Sequence, residues 1–243
     1  MINETINGII ISRKNIGEAD RLLTIFSKER GKIKVIARGA RKIKSKMAAH
    51  VEPFTVGRFQ IVSGKSFYVL TGAERDSLLS FEYKDINNYK SAAYLCEILD
   101  LTTQEESGAE KIYNLLIRIL RILPTTDKEK IETLVYYFEF SLLSYLGYQA
   151  NYKKCIRCGQ DLSENQSFKG GFEGVNCVNC SDKCNDHKSV SKNTLKILDI
   201  FKNTNLEKIL KISGIEKYNG ELCSLIRPYL YDILPRTPKS LNL

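Results

Sequence analysis

Short apolar runs separated by polar breaks fill the first 70 residues of the chain. Runs of this kind, rich in β-branched side chains, predict β-strands, and Gly31 and the stretch 63–66 supply turn signals. The predicted strands cover residues 6–11, 22–26, 33–37, 54–62 and 67–70. With the long connection 38–53 after the third strand, this pattern favours a small closed barrel of the OB type. The hydrophobic period does not distinguish it from other small β-barrels.

After Phe81 the apolar residues recur every three or four positions, which predicts helices. Pro124 should end the second helix and Gly147 the third. Between residues 151 and 187 large apolar side chains are too scarce to form a core unaided. The predicted fold class is α+β and multidomain, with an OB-fold β-barrel (1–80), a helical domain (81–150 and 188–243) and a four-cysteine zinc-binding module (151–187) inserted in the helical domain. The apolar positions behind the helices are Leu95, Ile98 and Leu99; Ile112, Leu115, Leu116, Ile119 and Leu123; Leu134, Phe138, Leu142 and Tyr145; Leu195, Leu198 and Phe201; Leu222, Leu225, Ile226 and Leu230.

Two CxxC pairs lie inside the segment that lacks a core. They are separated by 18 residues, a spacing typical of four-cysteine zinc sites, and no βαβ pattern surrounds either pair as a redox motif would require. Four thiolates leave no open position for water, so the predicted zinc is structural. Either Cys184 or His187 could replace a ligand, because both follow the second pair closely. The predicted ligands are Cys155, Cys158, Cys177 and Cys180.

The positive charge of the chain is concentrated near its N-terminus. The formal net charge is +9, and residues 1–80 carry 15 Lys and Arg against 7 Asp and Glu. Between Arg30 and Lys46 no acidic residue occurs, and on the third strand the lysines alternate with apolar residues, so they share one face. A local field of this kind attracts nucleic acid. The predicted nucleic-acid contacts are Lys32, Lys34, Arg38, Arg41, Lys42, Lys44 and Lys46.

Aromatic residues on the later strands are candidates for stacking on unpaired bases. They are Phe59, Phe67 and Tyr68, although aromatic residues in a small barrel more often fill the core.

The sequence contains no recognisable catalytic pattern. The stretch 57–66 ends in Gly-Lys-Ser but has Phe59 where a P-loop requires glycine, and strand patterns on both sides predict a hairpin. The two histidines have no neighbouring nucleophile, and we expect no enzyme activity. The N-terminus lacks the pattern of a signal peptide, and no apolar run reaches the roughly 20 residues of a membrane span. These features predict a cytoplasmic protein without a membrane partner.

Several motifs resemble one known family. Gly17-Glu18-Ala19-Asp20, Gly31, the run from Ala37 to Lys42, Ser45 and Pro53-Phe54 resemble the amino-terminal signature of the RecO family of bacterial DNA repair and recombination mediators. The paired CxxC motif with Gly170-Gly171 and the final Lys239-Ser240 are also similar to that family, so the resemblance extends along the whole chain.

The resemblance implies a protein that binds single-stranded DNA, anneals complementary strands and helps load RecA recombinase onto DNA coated by single-strand-binding protein. The implied partners are RecR and the acidic C-terminal tail of single-strand-binding protein, and the implied location is the cytoplasm, at the nucleoid. Arg118 and Arg121 are candidates for the basic rim of a tail-binding groove. Two alternatives remain: a zinc-containing regulator that reads a specific duplex sequence, and an enzyme acting on nucleic acid.

Overall fold

The N-terminal part of the chain forms a closed five-stranded barrel in the strand order β1-β2-β3-β5-β4. The computed structural model describes residues 3–76, 85–105, 109–148, 151–162, 168–181 and 188–242. The strands are β1 (Asn3–Ile16), β2 (Asp20–Ser27), β3 (Gly31–Ala37), β4 (Val56–Val62) and β5 (Tyr68–Arg75). All neighbouring strands are antiparallel except β3 and β5, which are parallel. The predicted OB-type barrel is therefore confirmed.

Alternation along the strands builds the barrel core. On β3, Ile33 and Val35 are fully buried while Lys32 and Lys34 lie on the outer face, as the sequence predicts. Phe59 is only 1% exposed and belongs to the same core cluster. On β3 the core thus contains the apolar half of the strand and the outer face carries the charge, whereas on β2 residues 23–27 are buried on both faces.

Two helices and the C-terminal segment belong to the same compact unit as the barrel, which comprises residues 1–125 and 238–243. Helix α1 (Ile86–Thr102) begins at Asp85, whose carboxylate accepts a hydrogen bond from the N–H of Asn87 at 2.7 Å. Helix α2 (Glu110–Ile122) ends in a 3-10 turn (Leu123–Thr125) that contains Pro124, the residue predicted to stop it. A C-terminal 3-10 turn (Lys239–Asn242) contacts α1.

The second compact unit comprises residues 126–237. Helix α3 (Lys128–Tyr145) packs against α5 (Lys192–Asn203) and α7 (Asn219–Ile233), and α6 (Leu206–Leu210) lies between those two in sequence. A small sheet of β6 (Phe168–Gly171), β7 (Gly174–Asn176) and β8 (Lys188–Val190) has the order β7-β6-β8, with the short helix α4 (Val178–Ser181) after β7. Phe172 is fully buried, and its ring centroid lies 5.5 Å from that of Phe140 in α3. This ring joins the cysteine-rich segment to the helical core.

The two units differ from the sequence-based grouping in the placement of α1, α2 and the C-terminal residues 238–243. The pattern grouped α1 and α2 with the later helices, whereas the structure groups them with the barrel. Contacts of α1 with β1 and of α2 with β2 account for this. The three-domain division of the sequence stays a prediction.

No helix in the described part of the chain is both long enough and apolar enough to cross a membrane.

Candidate nucleic-acid interface and metal centre

The connection between β3 and β4 is fixed to the turn between β1 and β2. The carboxylate of Asp20 accepts a hydrogen bond from the N–H of Gly39 at 2.8 Å, where the backbone adopts a left-handed φ of 64°. The N–H of Arg41 donates to the carbonyl of Ala19 at 2.9 Å, and Arg41 Nη1 donates to the carbonyl of Gly17 at 3.0 Å. These bonds give the Gly-Glu-Ala-Asp motif a physical role, because it holds the basic connection in one conformation.

Five cations project from this connection into solvent. Within the described residues none of them forms a salt bridge, and the neighbouring Ile43 is also fully exposed. Cations that have no acidic partner and lie within nine residues of one anchored segment create a concentrated positive field, which suits a phosphate chain. They are Arg38, Arg41, Lys42, Lys44 and Lys46.

The two strand lysines behave differently. Lys32 Nζ donates to the carbonyl of Asp100 at 2.6 Å and lies 3.4 Å from its carboxylate, and Lys34 forms a salt bridge with Glu105. These acidic residues come from the end of α1 and the segment after it. Their charges offset those of the lysines, so the face of β3 is less positive than the local sequence indicates.

A second carboxylate lies against two arginines of the barrel. Glu52 bridges Arg13 of β1 and Arg21 of β2, with 2.9 Å between Arg21 Nη1 and Glu52 Oε1. The sequence pattern missed this cluster, because 39 and 31 residues separate Glu52 from its two partners.

The stacking candidates divide into two groups. Phe59 is buried in the barrel core, so it fills the core and is not available for stacking on a base. Phe67 and Tyr68 are half-buried and line a polar pocket of about 210 Å³, together with Lys34 and Glu105. The Arg30 guanidinium lies 5.8 Å from the centre of the Tyr68 ring. Phe67 and Tyr68 thus stay candidates for stacking, with part of each side chain exposed.

Arg118 and Arg121 lie on the exposed side of α2. The opposite side of that helix buries Ile112, Leu116 and Ile119. Their role in partner binding stays a prediction.

The four predicted cysteine ligands converge on one point. Their sulfur atoms all lie within 4.8 Å of one another, and Cys158 Sγ lies 3.8 Å from Cys177 Sγ. Zinc–sulfur bonds of about 2.3 Å in a tetrahedron place the sulfurs about 3.8 Å apart. The donor set and the spacing therefore fit a metal ion such as zinc. The other two candidates, Cys184 and His187, lie outside the described residues.

Local backbone structure positions each pair. In the first, the N–H of Gly159 donates to the carbonyl of Cys155 at 2.9 Å, and Gly159 has a left-handed φ of 74°. In the second, Cys177 directly follows β7 and the N–H of Cys180 donates to its carbonyl at 3.0 Å. The N–H of Ile156 donates to the carbonyl of Val175 at 3.1 Å, which holds the first turn against β7.

The backbone also tunes the thiols. Burial alone would raise the pKa of Cys155, but N–H groups of Cys158, Cys177 and Arg157 lower that pKa to about 6. Burial and the neighbouring thiols raise the pKa of Cys180 to about 12. One thiolate is thus favoured at neutral pH, and a bound cation would favour ionisation of the others.

Comparison with known proteins agrees with this architecture. A family model described as "Recombination protein O N terminal" matches residues 1–77, and one described as "Recombination protein O C terminal" matches residues 83–242. A "DNA repair protein RecO" of Clostridium perfringens is 30% identical over 238 residues, covering 97% of this chain and 95% of the relative.

Relatives of the same name come from other bacteria. That of Alkaliphilus metalliredigens is 29% identical over 232 residues, covering 96% of this chain and 89% of the relative. That of Roseiflexus is 31% identical over 234 residues, covering 96% of this chain and 82% of the relative. The barrel, the helical region and the cysteine cluster thus occur in a chain that belongs to the RecO family of DNA repair proteins.

Proposed function

We propose that this protein binds single-stranded DNA, anneals complementary strands and helps load RecA recombinase onto DNA coated by single-strand-binding protein. The observation that carries the proposal is the anchored connection with five exposed cations that form no salt bridge within the described residues: Arg38, Arg41, Lys42, Lys44 and Lys46. Lys32 and Lys34 would contribute less, because Asp100 and Glu105 already offset their charges.

The mechanism is electrostatic. Cations on the connection neutralise phosphates and release their counterions, which makes binding strong at low salt and nearly independent of sequence. Neutralised strands repel each other less, so two of them can approach and pair. The protein acts by binding and makes or breaks no covalent bond in the DNA.

A charge-reversal experiment tests the proposal. The test variant changes Arg38, Arg41 and Lys42 to Glu. The matched control changes three exposed lysines of the second unit to Glu: Lys208, Lys211 and Lys217. Both variants lose the same net charge. We expect the first variant to lose oligonucleotide binding and annealing together, while the control keeps most of both.

Two outcomes would contradict the proposal. Equal losses in the two variants would show that only overall charge matters. Preference for one duplex sequence over random single strands would favour a sequence-specific regulator.

The metal in this proposal is a structural Zn²⁺ held by Cys155, Cys158, Cys177 and Cys180. When bound, it would join the two cysteine turns and stabilise a segment that has few large apolar side chains. Complete ligation by protein leaves it no catalytic role.

The proposed protein partners are RecR and the acidic tail of single-strand-binding protein. Besides Arg118 and Arg121, a second surface suits such a tail: a pocket of about 550 Å³ in the second unit. Its wall includes apolar side chains, and three lysines outnumber two aspartates among them; the lining residues are Tyr152, Lys153, Asp161, Leu162, Lys192, Leu195, Lys196, Asp199 and Ile200.

An annealing assay on coated DNA separates the two surfaces. Single-strand-binding protein is used intact or without its tail, and the protein carries either Arg118→Glu with Arg121→Glu or Lys153→Glu with Lys196→Glu. If a substituted pair lies at the tail site, annealing by that variant should be equally fast on DNA coated with intact single-strand-binding protein and on DNA coated with the form that lacks the tail. If neither pair does so, both surfaces are wrong.

A further inference from the structure

Two arginines of the barrel are held by one carboxylate of the basic connection. Glu52 Oε1 accepts from Arg21 Nη1 at 2.9 Å, and Glu52 Oε2 accepts from Arg13 Nη1. Glu52 is exposed, while the side chains of Arg13 and Arg21 are 28% and 16% exposed. A carboxylate between two guanidinium groups has the same acceptor arrangement as the two non-bridging oxygens of a phosphodiester.

The Arg21 guanidinium is only partly satisfied. Its Nε is buried and has no hydrogen-bond partner, so Glu52 engages a single nitrogen of this side chain. Guanidinium groups bind phosphate best through two parallel hydrogen bonds. An acceptor that reaches a second nitrogen of the guanidinium would therefore bind Arg21 more strongly than Glu52 does.

The arginine pair adjoins the proposed DNA-binding connection. Arg21 pairs with Ala37 across β2 and β3, and Ala37 directly precedes Arg38. The β1–β2 turn that follows Arg13 in sequence also anchors Gly39 and Arg41. A phosphate chain that follows the connection would thus meet Arg13 and Arg21 next.

We infer that Arg13 and Arg21 form a second phosphate-binding site of the DNA interface, and that Glu52 occupies it as an internal competitor until a phosphate of the bound strand displaces it. This inference rests on the proposed function. In free protein the single carboxylate of Glu52 offsets part of the charge of these two arginines, the arginine fork. In the complex Glu52 turns away and the two arginines bind the strand.

The backbone around Glu52 does not depend on this ion pair. The N–H of Phe54 donates to the carbonyl of Ile10 at 2.8 Å, and the N–H of Ile10 donates to the carbonyl of Thr55 at 3.0 Å. These bonds join the end of the connection to β1. The Glu52 side chain can therefore be neutralised while the chain keeps its path.

The test compares two substitutions that remove the same charge. Glu52→Gln removes the carboxylate charge that holds the fork, whereas Glu74→Gln weakens an exposed pair between β5 and β4, in which Glu74 Oε2 lies 2.7 Å from Arg58 Nη2. Binding of a mixed-sequence, single-stranded oligonucleotide is measured at several salt concentrations. Glu52→Gln should bind about tenfold more tightly at low salt, because the strand no longer has to break a charge-assisted hydrogen bond to Glu52. Its plot of log affinity against log salt should keep nearly the wild-type slope, because the same two arginines contact the strand in both complexes.

Arg21→Gln completes a double-mutant cycle. In the wild-type background this change should weaken binding only slightly, because the strand gains Arg21 there only by giving up the Glu52–Arg21 ion pair. In the Glu52→Gln background it should abolish the gain. Melting temperatures of all variants verify folding, and unfolding could not imitate the tighter binding that is expected.

Each other result overturns the inference. Equal gains from Glu52→Gln and Glu74→Gln would reflect net charge alone, and weaker binding by Glu52→Gln would show that this side chain shapes the connection. A gain that survives Arg21→Gln would exclude the fork. If the wild-type protein binds no oligonucleotide even in dilute buffer, the proposed function fails and the inference fails with it.

Discussion

Removing one ligand from the cysteine cluster should open the cysteine-rich segment. Cys177 is a suitable target, since its side chain is buried and its N–H donates to Cys155 Sγ at 3.3 Å. Structural zinc sites have apparent binding free energies of about 10–16 kcal/mol. Loss of one ligand in four through Cys177→Ser should therefore cost about 3 kcal/mol, or on the order of 10²-fold in zinc affinity. Burial of the Phe172 side chain contributes about 2–3 kcal/mol to folding. This is too little to hold the cysteine-rich segment closed without the metal.

Metal content and hydrogen exchange measure this effect. The wild-type protein should contain one zinc per chain, and chelation should speed exchange in residues 151–162 and 168–181 while the barrel strands stay protected. Cys223→Ser is the control, because Cys223 is partly exposed and lies outside the cluster. Purified protein without zinc, whose exchange is also unchanged by a chelator, would refute the reasoning.

Two further predictions concern buried and terminal contacts. Glu139 is fully buried and accepts from Arg227 Nε at 3.2 Å, so Arg227→Leu should lower the free energy of unfolding by about 3–5 kcal/mol in denaturant titrations followed by circular dichroism. Adding Glu139→Gln should recover part of that loss, and a loss below about 1 kcal/mol in the single variant would contradict a role for the ion pair. Glu97 accepts from the N–H groups of Lys239 and Ser240 at 3.0 and 2.8 Å, so Glu97→Ala should speed hydrogen exchange and carboxypeptidase trimming at residues 239–242. Unchanged trimming would show that other contacts hold the C-terminal segment.

The sequence predicted the strands well where both faces follow the hydrophobic pattern, as on β3. It placed the ends of other strands less well. Strand β1 continues to Ile16 because its polar end still pairs with β2, and β4 begins at Val56 because Phe54 has a left-handed φ of 64° that no strand accommodates. Polar pairing and backbone conformation at strand ends have no hydrophobic period, so the pattern could not show them.

The cysteine cluster was predictable because its spacing is local, whereas the charge balance of the interface was not. Asp100 lies 68 residues from Lys32 in sequence, and Glu52 lies 39 residues from Arg13. Such partners are brought together only by the closed barrel and the helices packed on it. The run without acidic residues between Arg30 and Lys46 therefore predicted more free positive charge on β3 than the structure has. It also gave no sign of the arginine fork, whose carboxylate lies outside that run.

The measurement that tests the central claim most directly is the binding of a labelled, mixed-sequence single strand at about 50 and 200 mM salt, followed by fluorescence anisotropy. If each of the five exposed cations on the connection meets one phosphate, the slope of log affinity against log salt is about −3.5, and affinity falls about 100-fold between these concentrations. The Arg38, Arg41 and Lys42 charge-reversal variant should bind far more weakly at both. Binding that is insensitive to salt, or equal in the wild type and this variant, would contradict the account.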